Sequence, residues 1–141
     1  NLTKLILVAA TPCLVNNETW HYGISSEIFN QFAINLKNDS TKSLKRFVSL
    51  QSKDKPQIQE LYKSIQKYPA SHSALNVGLE IIINSDLRDI YKKIQTPKIS
   101  ILGSLDTLVP VKIQSWYHSA GAKTTVIRSG HLPFLDEGFN L

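Results

Sequence analysis

Three short runs of aliphatic and β-branched residues constrain this chain more than any other feature. Leu5-Ile6-Leu7-Val8-Ala9-Ala10 is apolar throughout and is stopped by Thr11-Pro12. Ile99-Ser100-Ile101-Leu102 is introduced by Thr96-Pro97 and closes on Gly103, and Thr124-Thr125-Val126-Ile127 closes on Ser129-Gly130. A strand with one face in water alternates apolar and polar residues. A run without alternation is expected where both faces are covered, as in a parallel sheet flanked by helices. Between the second and third runs, Val111 to Ala120 is long enough for one crossover helix. Residues 97–130 therefore read as a strand-helix-strand unit with a right-handed connection.

The intervening block has a different period. Ile28, Phe29, Phe32 and Leu36 recur at helical spacing after Ser25-Ser26-Glu27, where a serine can cap the helix and an acid suits its first turn. Leu44, Phe47, Val48 and Leu50 mark a second helix after Asn38-Asp39-Ser40. Ile58, Leu61, Tyr62 and Ile65 mark a third, entered through Pro56 and ended by Tyr68-Pro69. Leu75, Leu79, Ile82 and Ile83 mark a fourth in spite of Gly78, which costs about 1 kcal/mol relative to Ala inside a helix. Four helices inserted between two sheet strands are expected to cap the strand ends. The organisation expected is a core strand in residues 1–15, a helical cap in 16–95 and a C-terminal core in 96–141.

With 141 residues, the chain has the size of one ordinary domain. Its longest purely apolar run, Leu5 to Ala10, is far short of the roughly 20 residues of a membrane span, and no secretory signal pattern is present. The single cysteine, Cys13, cannot make an internal disulfide, which fits a cytoplasmic setting. The sequence contains no Met, begins almost at a strand, and stops at Asp136 to Leu141 where a last helix would be getting under way. It reads as an internal segment of a longer chain.

An acid follows the second run, in Leu102-Gly103-Ser104-Leu105-Asp106-Thr107-Leu108-Val109-Pro110, and a histidine follows the third, in Ser129-Gly130-His131-Leu132-Pro133-Phe134. In a parallel sheet, loops at the carboxyl ends of neighbouring strands converge, and ligands bind there. A carboxylate bonded to an imidazole fixes its tautomer and stabilises the imidazolium, while the second ring nitrogen takes a proton from a nucleophile. Asp106 is also a plausible turn former, since its carboxylate can satisfy local amides, and a Gly-His pair can be a packed loop. Their order and the intervening strand-helix-strand favour the catalytic reading. No pair among the six glycines brackets a serine as G-x-S-x-G, so the nucleophile is expected upstream and the 141 residues alone are expected to be inactive. His21, His72 and His118 show no ligand spacing, and neither a metal nor a cofactor is expected.

The acid and histidine loops resemble those of α/β-hydrolases. More narrowly, Leu5 to Cys13, Arg46-Phe47-Val48-Ser49-Leu50-Gln51, Leu75-Asn76-Val77-Gly78-Leu79-Glu80-Ile81 and Asp86-Leu87-Arg88 resemble the BioH-like pimeloyl-[acyl-carrier protein] methyl ester esterases of biotin biosynthesis. The resemblance implies a partial α/β-hydrolase fold: C-terminal strands of a parallel sheet with an inserted four-helix cap. It implies a serine esterase acting on the methyl ester of a pimeloyl chain on acyl carrier protein, with Asp106 as the triad acid and His131 as the general base. Phe47, Val48, Ser49, Leu50 and Gln51 would line the acyl channel under the cap, with Leu108 near the site.

Charge points to the same partner independently. Residues 37–67 hold eight Lys or Arg against three Asp or Glu, which is the whole of the chain's net charge of +5. A basic face attracts an acidic partner and speeds encounter, and acyl carrier proteins are acidic. In the family a basic cap surface docks the carrier, and Lys42, Arg46 and Lys63 fall at matching places. Nucleic acid is disfavoured, because no aromatic residues interleave with the basic ones in a recognised motif. A monomer is expected for the complete enzyme. Two alternatives stand beside this reading: a capped hydrolase of small free esters, and a non-catalytic fragment whose cap and half sheet serve only as a binding surface.

Overall fold

The computed structural model describes residues 2–137, 139 and 140. Among them three strands form one parallel sheet: β1 (Leu5–Val8), β2 (Lys98–Gly103) and β3 (Ala122–Ile127), in that spatial order. The register sets Leu5 opposite Lys98, and Gly103 opposite Ile127. Leu5 and Leu7 of β1 pack with buried Leu102 and Ala122 on one face of the sheet. On the other face Ile6, Ile99, Ile101 and Ile127 line an open groove of about 510 Å³. The expectation that β1 is buried on both faces is therefore not met, and all four of its residues are half-buried. Its position is the reason: among the described residues β1 pairs with β2 alone, and Ile6 opens onto that groove.

Four helices lie between β1 and β2: α1 (Ser26–Asn38), α2 (Ser40–Gln51), α3 (Lys55–Lys67) and α4 (His72–Asn84). Each begins at a side chain that accepts a hydrogen bond from an otherwise unpaired first-turn amide. Ser25 accepts from Ile28 N at 3.2 Å, Asp39 from Lys42 N at 2.9 Å, Asp54 from Gln57 N at 3.0 Å and Ser71 from Ala74 N at 3.1 Å. Such a cap is worth about 1 kcal/mol. Pro56 stands in the first turn of α3, where its missing N–H costs nothing. Phe29 and Leu36 of α1 and Val48 of α2 are buried, and Phe32 of α1 meets Phe47 of α2 with ring centroids 5.7 Å apart. α4 buries no residue.

A fifth helix, α5 (Arg88–Lys93), had no periodic signature, because six residues are too few to show one. It sends Tyr91 into the core under the sheet with Trp20, Val109, Ile113 and Tyr117. Trp20 reaches that core from a tight turn, closed by reciprocal bonds between Asn17 and Trp20, and its indole N–H donates to Cys13 O at 2.8 Å. Trp20 and Tyr91 both lie within the block read as cap, yet they pack with the sheet. Rings meet edge to face, Trp20 against Trp116 at 5.4 Å and Tyr91 against Tyr117 at 5.5 Å, which suits their quadrupoles. The crossover between β2 and β3 is a 3-10 turn (Val111–Ile113) followed by α6 (Gln114–Ser119), not one continuous helix. After β3 comes a second 3-10 turn, Pro133–Leu135. The last helix expected near residues 136–141 falls in part on positions 138 and 141, outside the described residues. Among the described residues no helix is long and apolar enough to cross a membrane.

Candidate active site

β2 and β3 run side by side and in the same direction, so the loops that follow them leave together. Ser104 N donates to Ile127 O at 2.8 Å and Leu105 N to Ser129 O at 2.9 Å, binding the two loops backbone to backbone. A Cβ on Gly103 would collide with the carbonyl oxygens of Ser129 and Gly130. Only glycine permits that approach.

Asp106 is held at three points. Its Oδ1 accepts from Leu108 N at 2.7 Å and from Val109 N at 3.0 Å, and its Oδ2 accepts from His131 Nδ1 at 2.9 Å. The carboxylate side chain has no solvent exposure, whereas the imidazole keeps 24%. Turn forming and histidine binding are thus both present in the same residue, one on each carboxylate oxygen. With Nδ1 donating to Asp106, Nε2 carries the lone pair, and it has no hydrogen-bond partner among the described residues. An imidazole arranged this way can accept a proton from a group placed before it.

The described residues present no nucleophile to that nitrogen. Ser129, although near in sequence, has a buried Oγ without a hydrogen-bond partner, and Ser104 is exposed in the acid loop. Cys13 is buried beside the Asp86 bridge and donates its thiol proton to Val15 O at 3.3 Å. Burial, reinforced by the Asp86 charge, pushes the thiol up from its ordinary value, which disfavours the nucleophilic thiolate. Among the described residues no three His, Cys, Asp or Glu side chains gather as a metal site would require.

The residues read as substrate-binding lie on the second half of α2 and in the acid loop. Val48 is buried, Phe47 and Gln51 are half-buried, and Ser49 and Leu50 are exposed. Ser49 Oγ donates back to Arg46 O at 2.6 Å, a local helix bond. Leu108 is buried and its N–H is one of the two that hold Asp106. Lys42 and Arg46 stand exposed one turn apart on α2. Lys63 is on α3 and is paired with Glu60 at 2.7 Å. Sequence reasoning passed over Thr107 and Gln57, whose bonds to the α2 end and to the histidine segment span 57 and 78 positions of chain. No local pattern signals such contacts.

No family model matches the chain. It is 37% identical to the pimeloyl-[acyl-carrier protein] methyl ester esterase of Wigglesworthia glossinidia brevipalpis, over 96% of this chain and 56% of the relative. It is 34% identical to the protein of the same name from Nitrosomonas europaea, over 94% and 56%. The chain spans little more than half the length of these curated relatives. Among solved structures, an esterase from Exiguobacterium antarcticum superposes with a TM-score of 0.83 at 26% identity, over 96% of this chain and 52% of that one. A hydrolase from Oleispira antarctica superposes with a TM-score of 0.84 over 97% and 52%, and at 14% identity it speaks for the fold alone.

Proposed function

We propose, for a chain that belongs to the α/β-hydrolase superfamily and has BioH-like esterases as its sequence relatives, that it carries the acid, the base and the cap of a serine carboxylesterase. Asp106 orients the imidazole of His131, whose Nε2 takes the proton of a serine supplied from outside these 141 residues. The serine oxygen attacks the carbonyl of a methyl ester, and the imidazolium returns its proton to the departing methanol. Water then repeats the sequence and releases the acid. The observation that carries this reading is the Oδ2 to Nδ1 bond of 2.9 Å on a carboxylate whose other oxygen is already fixed by two amides.

The substrate class proposed is a pimeloyl methyl ester on acyl carrier protein, in line with the names of the relatives. Residues 16–95 serve as a cap, Phe47 to Gln51 with Leu108 meet the acyl chain, and Lys42, Arg46 and Lys63 face the carrier. A monomer working in the cytoplasm suits this role.

A chimera tests the reading: this chain replaces the matching 56% of the Wigglesworthia relative. Hydrolysis of the carrier-bound methyl ester is expected, with a loss of about three orders of magnitude in kcat on His131→Ala. A folded chimera whose turnover ignores that substitution would overturn the assignment. Activity on a short free ester with none on the carrier-bound one would instead favour a small-ester hydrolase.

A further inference from the structure

The last carbonyls of an α-helix have no partner within the helix and must find one elsewhere. At the end of α2 two of them are taken by the loops of the candidate site. Leu50 O accepts from Thr107 Oγ1 at 3.2 Å, next to Asp106, and Gln51 O accepts from His131 N at 2.9 Å. A Cβ on Gly130 would stand 2.9 Å from Gln51 O, so the histidine loop can come this close only through glycine. Just beyond, in the first turn of α3, the Gln57 amide bridges three groups. Its Oε1 accepts from Ser52 Oγ at 2.7 Å, while its Nε2 lies 3.2 Å from Leu135 O and 3.3 Å from Asp136 Oδ1. Segment 130–136 is thereby fastened to the α2–α3 turn on both sides of the imidazole.

We propose that the α2–α3 turn is the platform that sets the acid–histidine pair in place, with Thr107 and Gln57 as its positioning residues. The proposal rests on the reading of Asp106 and His131 as acid and base. Neither Thr107 nor Gln57 hydrogen-bonds the imidazole itself. Each holds the backbone that carries one partner, Thr107 the acid loop and Gln57 the histidine segment. A displacement of about 1 Å in a catalytic pair is costly, and fastenings at the end of α2 and at the start of α3 restrain it.

The test is amide hydrogen exchange and imidazole NMR on the 141-residue chain. In Thr107→Val, which keeps the side-chain shape, and in Gln57→Leu, the His131 amide is expected to exchange about tenfold faster, the equivalent of one lost hydrogen bond. The His131 Nδ1 proton signal should broaden, and the amides of β2 should be unaffected. Thr107→Ser, which restores the hydroxyl, should return both signals to those of the parent. Unchanged His131 exchange in both variants would overturn the platform, and so would an equal rise throughout β2, which marks a general loss of stability. Failure of the catalytic reading is seen separately, in a chimera that keeps its turnover after His131→Ala.

Discussion

Gly103 sits where the start of the acid loop passes against the backbone of Ser129 and Gly130, and this close approach is one of the contacts that bring the loop of Asp106 against that of His131. Gly103→Ala would place a methyl group on two backbone carbonyls that have no rotamer through which to retreat. We expect it to cost about 2 kcal/mol or more in urea unfolding and to weaken the Asp106–His131 bond. Unchanged stability would mean that the loops are free to separate. Asp106 shows why a single residue was readable in two ways from sequence. Its carboxylate makes the turn through Oδ1 and meets the histidine through Oδ2, and each reading accounts for one of its two oxygens. Thr107 beside it gave no signal, because a hydroxyl bonded to a carbonyl 57 positions away leaves no trace in local spacing.

At the scale of elements, α4 and the two chain segments that join the helices to the sheet behave differently. Gly78 lies inside α4 with open space where a Cβ would be. Gly78→Ala should therefore stabilise the protein by up to about 1 kcal/mol, seen as a higher Tm, since only backbone entropy is at issue. The joining segments are locked by Arg88. Its guanidinium pairs with Asp86 at 2.6 Å, donates to Thr19 O and Thr19 Oγ1 at 3.0 Å each, and lies 5.3 Å from the Trp20 ring. The hydrogen bond from Arg88 holds the Asp86 carboxyl below its ordinary value of 3.8. A lowered carboxylate pKa contributes stability above the unfolded value, and that contribution is lost as pH falls through the folded one. Arg88→Ala should cost about 1 kcal/mol near neutral pH, modest because Asp86 is partly exposed. The difference from the parent should shrink below pH 3.8. A difference independent of pH would assign Arg88's role to packing on Trp20 alone. The serine cap of α1 was legible because capping is local, whereas Asp54 and Ser71, which cap α3 and α4, were passed over. α5 was not, since Tyr91 is fixed by rings that come from other parts of the chain.

For the molecule as a whole, charge is concentrated on the helical block, where residues 37–67 carry the entire net charge of +5. If this face meets an acidic carrier protein, Lys42→Glu with Arg46→Glu should weaken binding by about tenfold at low salt. The effect should fade as the Debye length shrinks to about 3 Å at 1 M salt. Lys63→Glu should do less, because Lys63 is already engaged by Glu60. Titration of the chain with an acyl carrier protein by fluorescence anisotropy at several salt concentrations reads all three, and binding indifferent to both charge and salt would remove the docking role.

By itself the sequence determined the parallel α/β class, the four helices, and the loops bearing Asp106 and His131, because periodicity and strand-end residues are properties of neighbours in the chain. The tertiary structure alone decided that Trp20 and Tyr91 join the sheet's core, that β1 is only half-buried, and that the α2–α3 turn grips the histidine segment. Those contacts form between residues tens of positions apart. Their free energy depends on which surfaces meet, and that is encoded in no single stretch of the chain.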